Sequence, residues 1–332
     1  MEKTEGKKIF KKAFQVVLPL FLGAFILVWV YRDFSFQRIW KVLCDDMNYG
    51  WMLFSLVFGV TACVFRGLRW KLALEPLGEF PKTANCIYAI FLSYASSLVI
   101  PRVGEVVRCG VLSKYDGVSF PKSLGTVVSE RMVDTFCMGC IVGLTLFLNL
   151  PAFTTFFEET GTDIAQFTAV FNSGHFYLAI LCALAIAILL FFLIRNVALF
   201  AKLKGILANV WQGIAALKDI RNVPLYIMYS IGIWLSYFLE FYVAFYAFGF
   251  SAGLGVLAAL VMFVVGTFAV LVPTPNGAGP WHFAVMTMMM LYGVGKEDAG
   301  IFALLVHGIQ TFLLILLGIY GLSALPFTNK FK

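Results

Sequence analysis

Two groups of charged side chains have the spacing that places each group on one face of a helix. Arg102, Glu105 and Arg108 follow one another at intervals of three residues, and Glu130 and Asp134 are four residues apart. Guanidinium groups that are oriented by carboxylates bind phosphate through charge-assisted hydrogen bonds. These residues predict a phosphate-binding pocket. The competing interpretation is an ion-pair network that only holds the helices together.

A second polar segment interrupts an apolar stretch at 273–282. Proline and glycine in this segment break a helix and permit unusual backbone dihedrals. A helix beginning near Pro280 would also direct its backbone N–H groups toward an anion. The segment predicts the opposing wall of a substrate site, and the other interpretation is an ordinary extracellular turn. The candidate residues are Pro275, Asn276, Gly277, Gly279 and His282.

Other ionisable residues stand within or beside apolar segments, where each costs at least ~2.5–3.5 kcal/mol near the membrane centre. Arg131, next to Glu130, is added to the candidate site. Glu240 and His307 are candidates for proton or cation coupling, or they could pair with each other. Arg66 and Arg69 are interpreted as anchors at the inner membrane edge.

The chain that must position these residues is far more apolar than a soluble protein. It has 332 residues, of which 61% are hydrophobic and 13% are charged. Soluble domains have about 45–50% apolar and about 25% charged residues. The composition therefore predicts an all-α polytopic membrane protein, a single integral membrane domain over 1–332.

Hydropathy predicts six transmembrane helices and two re-entrant helical hairpins. Each hairpin, at 84–113 and 254–294, contains one of the polar breaks, and its second half is too short to cross a ~30 Å core. The alternative is that both hairpins cross fully, which gives eight or more spans. The six predicted spans are 13–31, 49–70, 122–150, 174–195, 223–248 and 299–324.

The distribution of basic residues orients this arrangement. With both termini in the cytoplasm, 20 of the 25 lysine and arginine residues fall on the inner side. The cytoplasmic parts include 1–12 and an amphipathic segment at 197–222. The regions 49–150 and 223–324 then form an inverted repeat whose two hairpins meet near the midplane, as in many transporters.

Several motifs of membrane-associated enzymes are missing from the chain. It has no phosphate-binding loop, no His-Glu-x-x-His and no Gly-x-Ser-x-Gly. We therefore expect no enzyme activity, no cofactor and no metal, and no nucleic-acid partner. A homo-oligomer is possible. A membrane enzyme that acts on a phospholipid headgroup is the second hypothesis, and a structural or regulatory membrane protein is the third.

The order of these elements resembles the lysylphosphatidylglycerol synthase transmembrane-region family over about residues 10–325. The likeness rests on the run from Pro101 to Arg108, on Glu130-Arg131-x-x-Asp134 and on the Pro/Gly-rich break at 273–280. In the second break, Asn276 stands where the family pattern has glycine and His282 stands where it has an acid.

The resemblance implies a lipid flippase of a bacterial cytoplasmic membrane that works by alternating access. Its cargo would be an anionic or aminoacylated phospholipid or a polyprenyl-phosphate lipid. Because the soluble aminoacyl-transferase domain of the fused members has no counterpart in this sequence, we do not expect it to synthesise lysylphosphatidylglycerol.

Overall fold

The protein is an all-α membrane protein. The computed structural model describes residues 21–32, 34–149, 215–272 and 274–329. The helices of this part are numbered in chain order. They are α1 (Phe21–Tyr31), α2 (Phe36–Lys41), α3 (Tyr49–Leu74), α4 (Thr83–Ser97), α5 (Gly104–Asp116), α6 (Phe120–Leu148), α7 (Val223–Val243), α8 (Val256–Ala269), α9 (Pro280–Leu291) and α10 (Lys296–Thr328).

Four of these helices, α3, α6, α7 and α10, are long and apolar enough to cross a membrane. They coincide with four of the six predicted spans. Helix α1 is the described end of the predicted span 13–31. The predicted span 174–195 and most of the amphipathic segment 197–222 lie outside the described residues.

Local sequence signals explain where the long helices begin. The side chain of Asn48 accepts a hydrogen bond from the backbone N–H of Trp51 at the start of α3, and Asn222 does the same for Leu225 at the start of α7. Such caps satisfy backbone donors that the first turn leaves free. Proline in the first turn, where no backbone donor is needed, favours the starts of α6 and α7.

Helices α4 and α5 form one helical hairpin, and α8 and α9 form another. The four helices have 15, 13, 14 and 12 residues. At ~1.5 Å per residue, each is shorter than the ~30 Å apolar core of a bilayer. The two predicted breaks are therefore confirmed as interruptions between short helices.

Each break contains a residue with a left-handed backbone. Arg102 has φ 65° and Asn276 has φ 51°, and they are the non-glycine residues of the described chain with positive φ. Asparagine tolerates this conformation, whereas for arginine it costs roughly 1–2 kcal/mol. Contacts elsewhere in the hairpin must therefore hold Arg102 in place.

The helices of 49–148 and those of 223–328 pack in corresponding ways. Helices α3 and α7 pack against each other. Helix α4 packs on α3 and α10, and its counterpart α8 packs on α7 and α6. Helix α5 packs on α6, as α9 does on α10. When the two sets of helices are exchanged, most of the helix–helix contacts are reproduced. Both breaks lie in the region between the two sets.

Gly104 sets the closest approach within the first hairpin. A Cβ atom at this position would overlap the carbonyl oxygen of Ser93 and the hydroxyl of Ser97. The backbone N–H of Gly104 also donates to Oγ of Ser97 at 3.2 Å. Because a backbone carbonyl cannot swing aside as a side chain can, only glycine fits here.

We expect Gly104→Ala to destabilise the protein by about 1–3 kcal/mol, because the added methyl group forces α4 and α5 apart. Gly110→Ala in the same helix is the matched control, since a Cβ there meets nothing within 4 Å. Alanine should improve the helix at that position. Thermal unfolding of the two purified variants in detergent measures the difference, and equal midpoints would contradict the tight crossing.

Candidate functional site

The centre of the site is a set of buried ion pairs between α3 and α6. Arg66 donates through Nη1 to Oδ2 of Asp134 at 2.8 Å, and Arg69 donates through Nη2 to Oδ1 of the same carboxylate at 2.7 Å. Arg69 Nε also donates to Oε1 of Glu130 at 3.4 Å. Two arginines three residues apart on α3 therefore meet two carboxylates four residues apart on α6.

This network extends to two further helices. Nη1 of Arg69 donates to Oγ of Ser230 on α7 at 3.3 Å. On α5, Nη1 of Arg108 lies 2.7 Å from Oε2 of Glu130. The guanidinium of Arg108 also lies 4.6 Å from the ring centroid of Trp70, in a cation–π contact.

Arg108 is held by charge and by an aromatic face, but its donors are not used. Its exposed fraction is 1%. None of Nε, Nη1 and Nη2 has a hydrogen-bond partner in the described part of the chain, because the close contact with Glu130 lacks hydrogen-bond geometry. A buried donor without a partner is costly. The side chain is therefore suited to bind an added anion.

The interpretation of Arg66 and Arg69 as membrane-edge anchors is wrong. Their exposed fractions are 4% and 0%, and both pair with carboxylates of α6. With Arg108, three of the basic residues assigned to the inner side are therefore buried in the network and are not loop charges. The signal that sequence reasoning missed was the complementary helical spacing of the arginines and the two acids.

The remaining charged residues lie nearer the surface. Nε of Arg131 lies 3.3 Å from Oε1 of Glu105, and their side chains are 47% and 37% exposed. Nη1 of Arg131 also lies 3.7 Å from Oδ2 of Asp134. Arg102 is exposed and has no ion pair or hydrogen bond with any described residue.

A cavity of about 180 Å³ lies between the two helix breaks and the buried network. Six of the predicted site residues contribute to its wall, namely Arg102, Glu105, Arg108, Arg131, Asn276 and Gly277. Glu130 and Asp134 lie behind this wall and contact its arginines. The other polar lining residues that matter to the chemistry are Arg66 and Thr274.

The second break reaches the cavity through Asn276. Its side-chain Nδ2 donates to Oγ1 of Thr311 at 3.2 Å, and its backbone carbonyl oxygen lies 3.0 Å from Nε2 of His307. Both contacts attach the break to α10. Neutral hydrogen bonds thus fix this wall of the cavity.

Three other predicted residues of this break, Pro275, Gly279 and His282, are not part of the cavity wall. The backbone N–H of Gly279 donates to Nδ1 of His282 at 3.3 Å. A Cβ at Gly279 would meet the side chain of Ile26 in α1. The start of α9 is therefore covered by the first helix.

Glu240 and His307 do not form the pair that the sequence left open. His307 faces the second break, whereas the carboxylate of Glu240 lies against Gly59 of α3, where a Cβ would overlap it. Within the described residues Glu240 has no ion pair or hydrogen bond. A coupling role for Glu240 stays a prediction.

Asp134→Asn should destabilise the protein by about 3–5 kcal/mol, because it removes the carboxylate that Arg66 and Arg69 share and leaves buried Arg66 without an acidic partner among the described residues. Glu105→Gln is the control, since this carboxylate belongs to a half-exposed pair worth at most ~1 kcal/mol. Unfolding midpoints in detergent compare the two variants. Equal effects would show that the buried network does not hold α3 against α6.

The chain is similar to a glycosyltransferase named AglD of Haloferax volcanii, with 29% identity over 93 residues, which are 28% of this chain and 15% of that protein. It is also similar to a UPF0104 membrane protein of Methanocaldococcus jannaschii, with 26% identity over 230 residues, which are 68% of this chain and 91% of that protein. Residues 16–318 match the family described as lysylphosphatidylglycerol synthase TM region. The protein belongs to the lysylphosphatidylglycerol synthase TM region family.

Proposed function

We propose that this protein moves lipids with an anionic headgroup between the two leaflets of a cytoplasmic membrane. The observation that carries the proposal is the cavity between the two helix breaks, which contains more arginine than carboxylate. Arg102 has no described partner there, and the donors of Arg108 are unused. A headgroup phosphate would supply the missing acceptor.

The packing supports a mechanism of alternating access. The exchanged contacts of α3–α6 and α7–α10 are those expected of two structural repeats. Interrupted helices within a membrane are tolerated where they line a cavity. In an inverted repeat, the two hairpins would open the cavity to opposite leaflets in turn, while the long helices stay in place.

The cavity favours transport over an enzyme. Its described wall contains neither cysteine nor histidine. The hydroxyl of Ser97, which does line it, donates to the carbonyl of Ser93 at 2.9 Å and accepts from the N–H of Gly104. A nucleophile needs a neighbouring base, and this hydroxyl has none. The buried Nε and Nη2 of Arg108, which have no hydrogen-bond partner among the described residues, favour an added ligand over a purely structural role.

Translocation can be measured in liposomes that contain the protein and a fluorescent anionic lipid, with a quencher that reaches only the outer leaflet. Arg102→Ala should slow the movement roughly 10- to 150-fold, because a charged hydrogen bond to phosphate contributes about 1.5–3 kcal/mol. Arg38→Ala is the matched control, since that arginine pairs with Asp298, away from the cavity. If the folded protein moved no anionic lipid, the proposal would fail.

The inverted arrangement has a separate test. Lys114, in the last turn of α5, and Lys296, the first residue of α10, are exposed and lie near the ends of the two hairpins. We expect Lys114→Cys to react with an impermeant thiol reagent from the cytoplasmic side only, and Lys296→Cys from the outside only. A protein with the accessible native cysteines replaced is the background. Reaction of both positions from one side would contradict the inversion.

A further inference from the structure

The charges around the cavity indicate which kind of anion it binds. We propose that the headgroup is a lipid phosphate monoester, a dianion, in preference to a phosphodiester. This inference rests on the proposed function for the lipid nature of the ligand. Its argument comes from the number of charges, the unused donors and the lack of a free carboxylate in the described wall.

The number of charges does not balance without a ligand. The buried network, the Arg131–Glu105 pair and the unpaired Arg102 together contain five arginines and three carboxylates, which leaves two positive charges. Each carboxylate is already in contact with at least one arginine. The residues counted are Arg66, Arg69, Arg102, Arg108, Arg131, Glu105, Glu130 and Asp134.

A ligand with two negative charges would match the two excess positive charges. Arg102 and Arg131 lie at the exposed side of the cavity, so their contribution is attraction of the anion and not relief of a buried charge. A phosphate monoester carries about −1.5 to −2 at pH 7 because its second pKa is about 6. A phosphodiester carries one negative charge and would leave one arginine unmatched.

The unused donors fit a group with three terminal oxygens. Besides Arg108, Nε of Arg66 and Oγ1 of Thr274 are buried and have no hydrogen-bond partner among the described residues. Both residues line the cavity, and Thr274 is 4% exposed. They come from α3, α5 and the second break, so they approach the cavity from three different elements. A monoester offers one more terminal oxygen than a diester to accept from them.

The carboxylates of the cavity wall also bear on the kind of headgroup. Glu105, the carboxylate that lines the cavity, already pairs with Arg131. An ammonium group therefore has no free carboxylate in the described wall.

Ligand-induced thermal stabilisation of the full-length protein in detergent tests the assignment. The probes are dioctanoyl phosphatidic acid, dioctanoyl phosphatidylglycerol and sodium phosphate. The two lipids have the same chains and differ in whether the phosphate is a monoester or a diester. We expect at least about tenfold tighter apparent binding of phosphatidic acid than of phosphatidylglycerol, and weaker binding of sodium phosphate.

Variants separate the effect of charge from that of shape. Arg102→Ala removes one of the two excess charges and should abolish the tenfold preference, so that phosphatidic acid and phosphatidylglycerol bind about equally. Arg102→Lys, which restores the charge, should restore the preference, and Arg38→Ala should leave it as it is. An unchanged preference in Arg102→Ala, or equal binding of the two lipids by the unmodified protein, overturns the inference.

Two further outcomes distinguish this inference from the proposed function. If sodium phosphate bound as tightly as phosphatidic acid, the ligand would be free phosphate and the lipid assignment would be overturned. If the protein moved phosphatidylglycerol but not phosphatidic acid between leaflets, the monoester assignment would fail while the translocation function stood. Tight binding of phosphatidic acid without movement of any lipid would support the headgroup assignment and contradict the function.

Discussion

A guanidinium group removed from water must meet a negative charge, and this requirement determines how the helices are arranged. Asp134 contacts Arg66, Arg69 and Arg131, and Glu130 joins Arg69 to Arg108. Two carboxylates of α6 thereby hold α3 and the first hairpin in one position, and Arg69 adds α7 through Ser230. Since each unpaired ion would cost several kcal/mol, these helices cannot rotate or slide independently. The position of the cavity is a consequence of this network.

The two hairpins pack alike but are fastened by different chemistry. Arg108 and Glu105 attach the first hairpin to α6 through ion pairs, whereas Asn276 attaches the second to α10 through neutral hydrogen bonds. A neutral hydrogen bond contributes about 0.5–1.5 kcal/mol, and a bond to a charged group contributes more. The second hairpin is therefore the easier of the two to displace. If one wall of the cavity moves first, it is this wall.

Hydropathy was sufficient to predict α3, α6, α7, α10 and both breaks, because long apolar runs and proline-glycine segments reflect the bilayer directly. The burial of Arg66 and Arg69 was not predictable in that way, since an arginine beside Trp70 and Lys71 looks the same in sequence whether it faces water or another helix. Its environment depends on the rotation of α3 against α6. The separation of Glu240 from His307 depends in the same way on the rotation of α7 and α10. The left-handed backbone of Arg102 could not be predicted for another reason, because arginine by itself disfavours that conformation.

The excess of arginine in the cavity has a consequence for the leakage of ions across the membrane. A passage wide enough for a headgroup is also wide enough for hydrated sodium, potassium or protons. A cation ~5 Å from one uncompensated guanidinium is repelled by about 3 kcal/mol at an effective dielectric constant of about 20. Arginine in a pore wall excludes cations in this way. If the protein moves lipids as proposed, the arginines that would bind phosphate would also repel cations from the hydrated cavity and preserve the ion gradients across the membrane.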